Sequence, residues 1–262
     1  MKYIDLNCDM GELPQAVADG SQEELMRYIS SANIACGGHA GDTETMRATV
    51  EQALRHNVAI GAHPGYEDRA NFGRIELQLS SAEIAASVHK QILALEEIAS
   101  KSGACIGHVK AHGALYNQAA RNRQVARAIA EGVRRWRMDV ILVGLAGSAM
   151  LEEFQAAGFG VAAEAFADRR YEKDGSLRSR KFEDALLVDP QQAANQALQI
   201  ARGRVTVADG SVISLCADTI CIHGDTPGAA KIASEVHRRL AQAGIKISSL
   251  RSTETGEENC QS

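Results

Sequence analysis

Short apolar runs alternate along the chain with longer stretches whose apolar residues recur every three to four positions. YIDLN precedes a helical pattern near 22–30, NIACG one at 43–56, VAIGAH one at 81–102, and IGHVKAH one at about 121–136. The alternation continues with VILVGLAG and a helix near 147–157, GVAAEAF with a long irregular segment and a helix near 190–202, and DTICIHGD with a helix near 227–243. Seven βα units result, an α/β chain whose right-handed crossovers suit either an open doubly wound sheet or a closed barrel. Local signals set several boundaries. Ser80 or Ser81 caps the 81–102 helix with Glu83 in its first turn, Gly103 suits its left-handed end, and Pro190 and Pro227 occupy first helical positions. Two alternating runs around Asp209-Gly210 predict a small hairpin insertion at 203–217. Residues 1–249 are expected to form one domain, and 250–262, which lack a hydrophobic pattern, a mobile tail.

Composition narrows the class. At 262 residues with 45% hydrophobic and 23% charged content, the chain can bury a substantial core. A formal charge of -5 and 4% aromatic content leave no basic footprint or stacking platform for nucleic acid. No apolar run approaches the roughly 18 residues of a membrane span, and MKYIDLNCDMGE lacks the apolar centre of a signal peptide, so a cytoplasmic protein is expected. Cysteines at 8, 36, 105, 216, 221 and 260 form no CxxC pair; reduced thiols are expected, with Cys8, Cys36 and Cys221 as packing residues.

Polar residues gather where strands give way to loops, the end at which parallel α/β folds build their sites. Period two puts Asp5, Asn7 and Asp9 on one strand face, making Asp9 the leading acid, with Glu12 just beyond it. His39, near Asp42, and His63 each follow an apolar strand amid small residues. With Asp9 they are candidate ligands for a divalent metal, against the alternative of hydrogen-bonded pocket histidines. His108, Lys110 and His112 share a face; Lys110 suits an oxyanion, lactam oxygen or phosphate, and His112 suits proton transfer, whereas His108 lies deeper and reads as structural. Glu164, Asp168 and Arg169 offer a proton acceptor, a water-orienting acid and an anion clamp, with Arg180 a weaker second contact. His223 and Asp225 complete the ring, and Tyr116 and Asn117 begin a helix where they cap or bind. The ordinary alternatives are caps at Asp9 and Asp225, a solvated Lys110 and a salt-bridged surface loop around Arg169. His56, His89 and His237 fall in helical patterns and read as surface residues.

DLNCDMGE, SANIACG with HAGD, GAHPGY, FGR, KAHGALYN, GLAGS, EAFADR and DTICIHGD, in this order, resemble the LamB/YcsF family, described as the A component of 5-oxoprolinase, over residues 3–248. The resemblance implies a seven-stranded β/α barrel similar to carbohydrate deacetylases and some glycoside hydrolases. It also implies ATP-dependent opening of the 5-oxoproline lactam to glutamate, with ATP as cosubstrate and 5-oxoprolinase subunits B and C as partners. Gly38 stands where the family commonly has an aromatic residue, Ala111 where proline usually follows the lysine, and Ile75 where a second basic residue often follows FGR. The loss at 38 raises the expectation of an enlarged pocket or altered substrate. GxxxxGK[ST] is missing, and GLAGSAM at 144–150 offers only a glycine turn before a helix, so ATP binding by this chain alone is open. Two rival readings stand beside the resemblance: a metal-dependent deacetylase or amide hydrolase using Asp9, His39 and His63, and a noncatalytic protein for substrate binding or assembly. Self-association is compatible with both.

Overall fold

The computed structural model describes residues 2–226 and 228–250. The expected tail, apart from Leu250, and the helix start at Pro227 therefore lie outside the described residues. In chain order the elements are β1 (Lys2–Met10), α1 (Pro14–Ala18), α2 (Ser21–Met26), β2 (Ser31–Ala35), α3 (Thr43–Arg55), β3 (Ala59–His63), α4 (Ser81–Lys101) and β4 (Ile106–Lys110). They continue with α5 (Gly113–Arg121), α6 (Arg123–Arg134), β5 (Ile141–Leu145), α7 (Ala149–Ala156) and β6 (Gly160–Phe166). The last are α8 (Pro190–Ala201), β7 (Arg204–Thr206), β8 (Val212–Ser214), β9 (Thr219–Cys221), α9 (Ala229–Gln242) and β10 (Ile245–Ile247).

Strands β1, β2, β3, β4, β5, β6 and β9 pair in parallel in that order. Strand β9 also pairs with β1 through Asp5–Thr219 and Asn7–Cys221, so the sheet closes into a seven-stranded β/α barrel. Periodicity allows the open sheet and the barrel equally; this β9–β1 pairing decides it. The nine residues of β1 serve two neighbours, because Lys2–Ile4 pair with β10 outside the barrel before β9 begins at Asp5. Strand β10 was not anticipated, being three residues long. The 203–217 hairpin is present, with β7 and β8 antiparallel and Gly210 at φ +85° in its turn.

Helices follow the caps. Ser80 and Glu83 close a reciprocal capping box on α4, Asp42 does the same with Thr45 on α3, and Asp189 caps α8 ahead of Pro190. Asp42 is thus a cap and not a member of the pocket. The helix expected near 22–30 is instead two short ones, started by Pro14 and separated by Gly20 at φ +81°. The 121–136 pattern resolves into α6, capped by Asn122, preceded by a separate α5 that starts at Gly113, so Tyr116 and Asn117 lie within a helix rather than at its start.

The main apolar core lies between barrel and helices, and takes Leu6, Cys8 and Met10 from the outward face of β1. Inside the barrel the alternate positions are largely polar. Asp5, Asn7, Ser31, Asn33, His108, Glu164 and Thr219 are all buried, and a small apolar cluster of Ile141, Val143 and Ala162 fills the remainder. Barrel interiors usually hold layers of branched aliphatic side chains. Here the interior supports a polar floor beneath the strand ends.

Candidate functional site

A directed chain of hydrogen bonds fills that interior. His108 Nε2 lies 2.9 Å from Asn33 Oδ1, and Asn33 Nδ2 donates to both Asn7 Oδ1 and Asp9 Oδ1 at 2.8 Å. Asn7 Nδ2 donates to Glu164 Oε1 at 3.0 Å and to Thr219 Oγ1 at 2.7 Å, and the Thr219 hydroxyl donates to Asp5 Oδ2 at 2.5 Å. Ser30 and Ser31 also donate to Asp5, whose acid group burial nevertheless pushes upward. Burial, reinforced by the charge of Lys110, pulls His108 down to about 3, so it is a neutral donor, consistent with its structural reading.

Lys110 stands on this floor. Its Nζ donates to Asp9 Oδ1 at 2.9 Å, Asn7 Oδ1 at 3.3 Å and Cys221 Sγ at 3.2 Å, and forms an ion pair with Glu164 Oε1 at 2.9 Å. Burial works against the ammonium, yet Asp9, Cys221 and Glu164 outweigh it and raise Lys110 well above the ordinary lysine value. Asp9 is the complement. Burial favours its neutral acid, but His63 and Lys110 hold the carboxyl well below the usual range. Glu164 Oε2 and the Tyr116 hydroxyl are both buried without a hydrogen-bond partner. Burial and the Glu164 charge push the Tyr116 hydroxyl well up, so it stays protonated.

Beside the lysine, three histidines converge on Glu12. Its Oε1 lies 2.9 Å from His39 Nε2, 3.0 Å from His112 Nδ1 and 3.7 Å from His63 Nε2. The His39 and His112 rings stack in parallel with centroids 3.6 Å apart. Burial, partly opposed by Glu12, lowers His39 to about 4, while the Asp9 carboxylate overrides burial and raises His63. Burial would raise Glu12, but bonds from His112 and His39 hold it low. The glycines of GAHPGY and FGR make this crowding feasible: a Cβ at Gly65 would sit 2.7 Å from His39 Nδ1, and one at Gly73 2.7 Å from His39 Cβ. Of the metal set expected from sequence, His39 and His63 do stand together, but the carboxylate joining them is that of Glu12, with His112 as fourth member. Asp9 is turned to Lys110 and Asn33, with its second oxygen 3.3 Å from His63 Nε2.

The remaining strand ends build a wall. Asp168, fully buried, accepts from the His223 amide at 3.1 Å and the Thr226 hydroxyl at 2.9 Å, with His223 Nδ1 2.9 Å from its Oδ1. Burial would raise Asp168, but His223 and these donors lower it. His223 stacks on Phe166 at 5.3 Å, and Lys110 Nζ lies 5.6 Å from the same ring. Arg169 donates to the Arg178 carbonyl at 2.7 Å while its Nε remains buried and unpartnered; burial and the nearby Arg180 lower it to about 10. At the rim Asp225 pairs with Arg74 and, at 3.8 Å, with Arg180. A cavity of about 880 Å³ opens over these groups, lined by Asp9, Glu12, His63, Lys110, His112 and Arg169 among others.

The structure therefore gathers Asn7, Asp9, Glu12, His39, His63, Lys110, His112, Glu164, Asp168, Arg169, His223 and Asp225 at one end of the barrel. Asn7, His39, Glu164 and Asp168 are buried behind the cavity rather than in its lining. Asn33, Phe166 and Arg74 were not singled out. Asn33, a polar residue in period two with Ser31 on an apolar strand, carried a readable signal, whereas the Phe72 carbonyl that receives His112 Nε2 at 2.9 Å carried none. Gly38 does not enlarge the cavity. It faces Gln91, whose Oε1 would lie 2.3 Å from a Cβ at 38, and Gln91 is itself bonded to the Gly65 backbone.

Fold and site together define a parallel β/α barrel with a polar interior and a lysine, carboxylate and histidine pocket at its carboxyl end. The chain belongs to the LamB/YcsF family, whose profile matches residues 4–255. The A component of 5-oxoprolinase from Chloroflexus aggregans is 51% identical over 248 residues, covering 94% of this chain and 98% of that protein. The crystal structure of a lactam utilization protein from Thermus thermophilus superposes with a TM-score of 0.89 at 41% identity, covering 95% of this chain and all of that one. A family 4 carbohydrate esterase from Streptomyces lividans shares the fold alone, with TM-score 0.54 and 10% identity over 96% of this chain and 94% of its own.

Proposed function

We propose that the chain is the A component of an ATP-dependent 5-oxoprolinase. It opens the lactam of 5-oxoproline to L-glutamate as ATP becomes ADP and phosphate, in the cytoplasm and together with subunits B and C. The observation that carries this reading is Lys110, buried between two carboxylates at the base of a cavity, in a chain whose close relative bears that name. Amide resonance makes a lactam carbonyl a poor electrophile. Transfer of the ATP γ-phosphoryl group to the carbonyl oxygen removes that resonance and provides a leaving group. Water then bonds to the ring carbon, the carbon–nitrogen bond breaks with a proton delivered to nitrogen to leave an acyl phosphate, and a second water hydrolyses that acyl phosphate to the carboxylate of glutamate and inorganic phosphate.

Each step finds a group of suitable charge. Lys110, held cationic, faces developing negative oxygen; Asp9, held ionised, orients water, accepts its proton and passes it to the ring nitrogen, with His112 forming the cavity wall beside it. Arg169, with an unpartnered Nε and Arg180 nearby, suits the substrate carboxylate. Glu164 and Asp168 act from beneath, fixing Lys110 and His223, and Asn7 ties Glu164 to the floor.

The test is glutamate release from 5-oxoproline by the chain assembled with its B and C partners, with and without ATP, in wild type and in Lys110→Ala and Asp9→Asn variants shown to be folded by thermal melting. ATP-dependent release lost in both variants is the expected result. No release from an assembled wild-type complex would overturn the reading, and ATP-independent amide hydrolysis by the chain alone would replace it with a hydrolase of another class.

A further inference from the structure

His63 and His112 are each anchored through one ring nitrogen on a backbone carbonyl. His63 Nδ1 lies 2.7 Å from the Lys110 carbonyl and His112 Nε2 2.9 Å from that of Phe72. A carbonyl only accepts, so each of these nitrogens carries the proton of its neutral ring. The nitrogens left bare on the neutral rings, His63 Nε2 and His112 Nδ1, then face each other at 3.0 Å with two lone pairs and no donor between them. That arrangement is repulsive unless a cation, either a further proton or a metal ion, stands between the two atoms. Fixing one imidazole nitrogen on a carbonyl so that the other is presented bare is how proteins orient metal-binding histidines.

Two further observations favour the metal ion. His39 Nε2 is directed at the same Glu12 oxygen as His112 Nδ1. The four ligand atoms all lie within 4.8 Å of one another. Ligands about 2.0–2.1 Å from a tetrahedral ion are separated by about 3.3 Å. Four of the six separations, 2.9, 3.0, 3.0 and 3.7 Å, scatter around that spacing, and the two from His39 to His63 and His112 stay within 4.8 Å.

We propose that Glu12 Oε1, His39 Nε2, His63 Nε2 and His112 Nδ1 form a binding site for one divalent transition-metal ion of the zinc class. Three imidazoles and a single carboxylate suit zinc, cobalt or nickel and not magnesium or calcium, which take oxygen-rich shells. Four protein ligands satisfy a tetrahedral ion, and they come from the ends of β1, β2, β3 and β4, so the ion would tie four consecutive strand ends together. The inference does not depend on the lactam reaction.

The full untagged chain, stripped with chelator, is titrated with Co²⁺ and separately with Zn²⁺, and bound metal per chain is measured by elemental analysis. The expected result is about one ion per chain, the visible bands of tetrahedral Co²⁺, and a raised melting temperature. Binding should weaken roughly tenfold or more in Glu12→Gln and His112→Gln but not in His89→Gln. Variants that melt cooperatively without metal remain valid tests, and the wild-type melting shift provides a readout that needs no variant. Less than about one-tenth of an ion per chain with an unmoved melting temperature would overturn the proposal, leaving a shared proton between His63 and His112; equal binding by all variants would overturn the assignment of ligands.

Discussion

At the scale of single residues, Lys110 sets the charge balance of the pocket, because its one ammonium answers both Asp9 and Glu164 in a setting almost closed to water. Replacing it with the apolar isostere, Lys110→Met, leaves two buried carboxylates without their cation. Removing one partner of a buried pair costs about 3–5 kcal/mol, so urea unfolding should show a loss of that size. Asp9→Asn added to Lys110→Met should recover part of it; a loss below about 1 kcal/mol would mean that the carboxylates are satisfied by other groups. Much at this scale was legible. Period two along β1 and β4 correctly put Asp5, Asn7 and Asp9, and His108 and Lys110, on one face. Which of them would pair was not, since Asp9 and Lys110 are about a hundred residues apart and meet only through barrel closure. The same ignorance explains Gly38: whether a missing aromatic ring opens a cavity depends on Gln91, on a helix distant in sequence.

At the scale of elements, the turn from β4 into α5 shows how the backbone delivers His112. Gly113 opens α5 at φ +53°, and a Cβ there would lie 2.7 Å from the Gly73 carbonyl, which receives the Ala114 amide at 2.9 Å. The loop after β3 and the helix after β4 are thereby pressed together, and Phe72, itself at φ +55°, offers its carbonyl to His112. Gly113→Ala imposes both left-handed strain and a collision. It should destabilise the chain by about 1–3 kcal/mol in a thermal melt, and it should lower turnover more than the stability loss explains by displacing His112. Unchanged melting would mean that the turn relaxes freely. Sequence reasoning found the strand of KAHGALYN but started the next helix at Tyr116 and Asn117 rather than at Gly113, because a glycine reads as a loop residue when its left-handed conformation is unknown. The capped helices α3, α4 and α8 were legible because Asp42, Ser80 and Asp189 carry the end signal locally.

At the scale of the whole molecule, a barrel filled with polar groups makes stability depend on pH in a way an aliphatic interior would not. Burial lowers His108 to about 3, whereas the unfolded chain protonates it near the usual histidine value of about 6.5. Below that value the unfolded state binds a proton the folded state refuses. The resulting stability is full above about pH 6.5 and is lost as pH falls toward the folded value. His39, lowered to about 4, adds a second such loss. His63, raised by Asp9, works in the opposite sense: its contribution is fully present below about pH 6.5 and is lost as pH rises through its higher folded value. The lowered carboxylates Asp9, Glu12 and Asp168 lose their contribution only further down, below the ordinary carboxylate range. Between about pH 6.5 and 5, metal-free protein should therefore lose about 1.5 kcal/mol for each of His108 and His39, as the limiting slope of about 1.4 kcal/mol per pH unit is approached. His108→Gln, which keeps an N–H donor for Asn33 and cannot titrate, should remove one proton from the slope. Denaturant unfolding at several pH values in wild type and variant measures it. Parallel curves would mean that His108 takes up its second proton in the folded barrel as readily as in the unfolded chain, still donating to Asn33, so that its titration is not linked to folding.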